Sequence, residues 1–141
     1  MKDPSNQFIE IAPDCLVKEA IVPRDSGGRR TIAAIEYELL HGHPYLYTLA
    51  ELKFATHFRH KAVPAADLAA RAEHLREEFF AKPYACMRAS PLTRTYGWGS
   101  HYDEQGRIAI YPVESAEYRR LVNDPKIKKV FALRGKREKI G

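Results

Sequence analysis

Cysteine is scarce in this chain: Cys15 and Cys86 are the only two in 141 residues, far apart and in no Cys-x-x-Cys pair. That excludes a disulfide scaffold and a thiolate zinc site, and both read as reduced thiols of a cytoplasmic protein. No apolar run approaches the roughly 20 residues that span a bilayer, and the first thirty residues lack the apolar segment of a secretory signal. A cytoplasmic protein without membrane contact is the expectation. Neither Gly-x-x-x-x-Gly-Lys-Ser/Thr nor Gly-x-Gly-x-x-Gly occurs, which removes the standard phosphate-cradling nucleotide loops. Repeats and low-complexity tracts are absent as well. The histidines do not supply a metal spacing: His41-x-His43 flanks a helix stop, and His57-x-x-His60 lies off an apolar helix face. No metal and no cofactor is expected.

What remains is an ordinary apolar fraction in a chain long enough to bury a core, read as one domain over 1–141. The charge is unevenly placed. Residues 1–85 carry 11 Lys+Arg against 12 Asp+Glu, whereas residues 86–141 carry 12 against 6, so −1 and +6 make the total of +5. A basic second half favours an anionic partner, and residues 135–141 read as a basic, mobile tail.

The nine prolines punctuate the chain, because proline lacks an amide donor and disfavours helix at the residue before it. Phe8–Ile11 reads as a short strand. A helix over about 31–41 carries Ile32, Ile35, Leu39 and Leu40 on one face. A second starts at a capping box, Thr48-Leu-Ala-Glu51, and a third runs from Pro64 through Leu68, Ala72, Leu75 and Phe79. Residues 88–94 read as a loop that cannot be a regular helix, because of Ser90-Pro91, and beyond Pro91 the period becomes alternating. Asp103-Glu-Gln-Gly106 reads as a hairpin turn that pairs Trp98 with Pro112, Ser100 with Ile110 and Tyr102 with Ile108. Ser115 caps a short helix, and a last strand covers about 127–133. The fold class is α+β: a short amino-terminal strand and helices, then a β-hairpin, short helix and carboxy-terminal strand in a small antiparallel sheet.

Residues 86–111 concentrate the distinctive chemistry, with the sole tryptophan between Gly97 and Gly99. Glycine beside the largest side chain marks a surface that something approaches closely. The stretch Met87-Arg-Ala-Ser-Pro-Leu-Thr93, then Tyr96-Gly-Trp-Gly99 and His101, resembles a group of small microbial proteins catalogued only as a domain of unknown function. The resemblance extends to Phe8-Ile-Glu10, Pro44-Tyr-x-Tyr-Thr48 and Ile110-Tyr-Pro-Val-Glu-Ser115, and it implies no activity.

The residues themselves suggest a small anionic, aromatic or phosphorylated ligand at 86–111. Arg88 and Arg94 would neutralise the anion, because guanidinium matches two oxygens at once. Ser90 and Thr93 would add hydrogen bonds, while Tyr96, Trp98 or Tyr111 would stack. His101 suits a general base in any reaction. A nucleic-acid module is the first alternative, using Lys126, Lys128, Lys129, Arg134, Lys136, Arg137 and Lys139 as phosphate contacts. A protein-interaction module is the second. The bland readings are a buried aromatic hairpin, a solvated arginine loop and an edge strand guarded by lysines.

Overall fold

Strand β1, Gln7–Glu10, lies inside a four-stranded sheet of order β3-β2-β1-β4, although it comes first in the chain. The computed structural model describes residues 3–134, so the expected tail at 135–141, with Lys136, Arg137 and Lys139, lies outside the described residues. Hairpin strands β2, Trp98–Tyr102, and β3, Ile108–Pro112, pair antiparallel in the expected register, from Trp98↔Pro112 to Tyr102↔Ile108. The turn sets that register. Asp103 Oδ1 accepts from the amides of Gln105 at 2.9 Å and Arg107 at 2.8 Å, and Gly106 takes the left-handed position at φ +77°.

Strand β4, Lys128–Phe131, corrects the antiparallel expectation. It pairs parallel to β1, with Phe8 opposite Lys129 and Ile9 opposite Val130. The cause is the intervening helix over Ala116–Val122: a helical crossover returns the chain to the end where β3 began, so the next strand runs the same way as β3 and β1. The sheet is therefore mixed.

Helix α1, Ile32–Gly42, and helix α2, Leu49–His60, cover one face of the sheet. Thr31 Oγ1 caps α1, and the Thr48–Glu51 capping box forms at α2. The buried stripe of α1 differs from the expected one: Ile32 is 45% exposed, and Glu36 is buried with Ile35, Leu39 and Leu40. The expected third helix is two, α3, Ala65–Ala70, and α4, Ala72–Phe80, broken at Arg71 with φ −121° and ψ 20°. The alanine-rich first part offers one large apolar side chain, Leu68, and even that stays half-buried, so α3 buries nothing. Residues 87–94, expected as non-helical, form a 3₁₀ turn at Met87–Ala89 and a single helical turn α5, Pro91–Arg94. Ser-Pro starts a helix here because Ser90, extended at ψ 140°, is the N-cap and Pro91 sits at N1, where its missing amide costs nothing.

Helix α6, Ala116–Val122, covers part of the opposite face. Its Tyr118 ring meets Phe8 edge-on at 5.0 Å, and its hydroxyl accepts from the Ile11 amide at 2.9 Å. Among the described residues no helix is long and apolar enough to cross a membrane.

Candidate functional site

Alternation along β2 separates the residues expected to bind together. Trp98, Ser100 and Tyr102 face α1 and α2, while Gly99 and His101 face α6. Trp98 is core: its Nε1 donates to the Ile21 carbonyl at 2.8 Å, and its ring meets Tyr37 edge-on at 5.1 Å. Tyr96 packs against the same core. The approach that the glycines signal comes from the chain itself. A Cβ at Gly97 would lie 2.4 Å from Val17 Cγ2, and one at Gly99 would lie 2.4 Å from Phe8 Cζ and 2.5 Å from Tyr118 Cε2.

The arginine turn lies on the helical side. Arg88 Nε donates to the Phe131 carbonyl at 2.8 Å, and Arg94 donates to the Arg134 carbonyl at 2.9 Å, so they tie the last strand and its exit to the 3₁₀ turn and to α5. Thr93 Oγ1 donates to the Met87 carbonyl at 2.6 Å. Ser90 Oγ donates to Glu36 Oε1 at 2.7 Å and accepts from the Leu92 amide at 3.1 Å. These four side chains bind the protein's own groups. Among the proposed nucleic-acid residues, Lys126 and Lys128 are exposed, and Lys129 reaches the Asp124 carbonyl.

His101 and Tyr111 come together on the α6 side, and the residue that joins them is Tyr45. Its hydroxyl lies 2.7 Å from His101 Nδ1 and 2.9 Å from the Tyr111 hydroxyl. Tyr45 sits at φ +58°, a left-handed backbone that costs a non-glycine residue roughly 1–2 kcal/mol. Its amide donates to the Ile108 carbonyl at 2.9 Å, which anchors the strained turn to β3. Nothing local in Pro44-Tyr45-Leu46 announces this; the one signal was its membership in a motif shared with the family resembled.

All three side chains are half-buried. Burial holds His101 below the ordinary imidazole value of 6.5; Asp103 and Asp124 oppose that shift and Arg120 reinforces it. Burial and the Tyr111 hydrogen bond push the Tyr45 phenol up, so it stays protonated. Two proton arrangements then exist. In one, Tyr111 donates to Tyr45 and Tyr45 to Nδ1, leaving Nε2–H as a donor; in the other, Nδ1–H donates to Tyr45, Tyr45 donates to Tyr111, and Nε2 is a base. The cluster can thus offer or accept a proton at one atom.

A pH dependence follows. A folded imidazole held below its unfolded value contributes full stability above pH 6.5, which declines as pH falls through the folded pKa. An NMR titration of the His101 ring should give a midpoint below 6.5, and His101→Gln should flatten the acid side of the stability profile. A midpoint at or above 6.5 contradicts the burial argument.

Among the described residues no group of three or more His, Cys, Asp or Glu is placed to hold a metal ion. No curated protein matches this chain, and no solved structure does. The model of a family of unknown function, DUF6157, matches residues 1–138, and the chain belongs to that family.

Proposed function

We propose that this protein binds a small anionic ligand on the α6 side of the sheet, against His101, Tyr45 and Tyr111. The observation that carries the reading is Tyr45, held in a left-handed conformation with its hydroxyl between the other two. Strain of this kind persists only where surrounding structure imposes it, and such residues cluster at ligand and catalytic sites. Of the residues expected from sequence, His101 and Tyr111 serve this site, and Arg120 takes the charge-neutralising part first given to Arg88 and Arg94. It is the one cation among the charges that act on His101, the others being Asp103 and Asp124, and with Asp103 it also acts on Tyr45. An anion bound there would accept from Nε2–H, and the relay through Tyr45 would let His101 take up or release a proton.

Inorganic phosphate is the probe. Adding it should move the His101 ring resonances saturably and raise the ring's pKa, because a bound anion favours imidazolium. Arg120→Ala should weaken that response about fivefold, the scale of one exposed charge pair. Tyr45→Phe should abolish the coupling between His101 and Tyr111 while leaving the fold intact. A His101 ring that titrates with pH yet ignores phosphate removes the proposal.

A further inference from the structure

A second opening to solvent among the described residues lies away from the sheet. Helix α2, helix α4 and the turn after α4 enclose a cleft of about 690 Å³, within the range of about 300–1,000 Å³ typical of small-molecule sites. Phe58, Leu75 and Phe79 supply its apolar wall. Two lysines, Lys61 and Lys82, stand at its rim. Glu78, the one carboxylate lining this cleft, is engaged by His74 at 3.1 Å, whereas neither lysine enters an ion pair among the described residues. The cleft therefore pairs an apolar wall with a net positive lining, two lysines against one carboxylate.

A smaller chamber of about 220 Å³ shares His57, Phe79 and Tyr84 with the cleft and reaches Glu36 and Lys53. It offers no free charge, since Lys53 Nζ is 2.8 Å from Glu36 Oε2. Its polar lining includes Thr56, 4% exposed, whose hydroxyl has no hydrogen-bond partner. An anionic head would find no free counter-charge there, so the head is directed to the cleft that holds Lys61 and Lys82.

We infer that the α2–α4 cleft binds an amphipathic carboxylate, its apolar body against Phe58, Leu75 and Phe79 and its head group at Lys61 and Lys82. One wall can adjust to such a guest: α4, which lines it, buries only Leu75. The chain enters that wall through Ala62 at φ +53°, followed by Val63 and Pro64. This site is separate from the one at His101 and takes a different part of ligand space, with the apolar body dominant.

The probe is octanoate, with 1-octanol as its uncharged match, followed through the ring resonances of His57, which lines the cleft. Octanoate should shift His57 saturably and leave His101 unmoved. Lys61→Ala combined with Lys82→Ala removes two exposed charges and should weaken octanoate about tenfold while leaving octanol unchanged. Ala81→Trp, at an exposed lining position, should fill the cleft and block both. No saturable shift of His57, octanol binding as tightly as octanoate, or undiminished binding in Ala81→Trp would each overturn the inference.

Discussion

Replacing Glu36 by alanine should cost about 3–5 kcal/mol, as breaking a buried ion pair by removing one partner does. Glu36 is 0% exposed, and both its oxygens are occupied: Oε2 by Lys53 at 2.8 Å and Oε1 by the Ser90 hydroxyl at 2.7 Å. The alanine variant leaves the Lys53 ammonium, 16% exposed, with no counter-charge, and opens a void between α1 and α2. It also strips a partner from Ser90, which caps α5. The paired substitution Glu36→Leu with Lys53→Met removes both charges at similar volume, and should recover most of the loss, because an apolar pair avoids desolvating two ions. Denaturant unfolding of the three proteins decides the matter. If the single variant loses under about 1 kcal/mol, less than the usual cost of an unpaired buried group, the pair does not organise this region.

Gly99→Ala should be nearly as severe, at about 3 kcal/mol or roughly 10 °C in melting temperature. The added Cβ would lie within 2.5 Å of two rings at once, Phe8 and Tyr118. Neither ring has room to yield. Phe8 is fully buried, and Tyr118 is anchored by the Ile11 amide and packed edge-on against Phe8. Gly42→Ala is the matched control, since a Cβ there meets nothing within 4 Å and favours the end of α1. Thermal unfolding should separate the two. Equal melting points would show that the α6 layer is loosely packed and that Gly99 is dispensable.

Local chemistry made much of this architecture legible. The hairpin register follows from one turn, because Asp103 and Gly106 leave few ways to close it. The caps at Thr31, Thr48 and Ser115 are equally local: a side-chain oxygen satisfies amides a few residues ahead. Ser90-Pro91 is ambiguous in sequence, because the same pair punctuates loops and starts helices, and only the helix that follows distinguishes the two. The parallel β1–β4 pairing is implicit in the strand–helix–strand order around Ser115, which competes with the antiparallel signal of the hairpin beside it.

The sites were less legible, for a different reason. Tyr45 lies 56 residues from His101 and 66 from Tyr111, and nothing but the fold brings it to them. Residue type drew attention to Arg88, Arg94 and Trp98, yet arginine and tryptophan serve structure as readily as binding. Glu36 did leave a trace: it lies four residues from both Ile32 and Leu40, a carboxylate set within an apolar helical stripe.

The place of β1 in the sheet also bears on how the molecule is made. A nascent chain emerging from the ribosome offers β1 first, but its neighbours are β2 and β4, which are synthesised far later. Helices α1 and α2 can form from nearby residues while β1 stays an open edge, vulnerable to pairing with another chain. Completion waits on two distant loop closures, so the sheet should close only after β4 has been made.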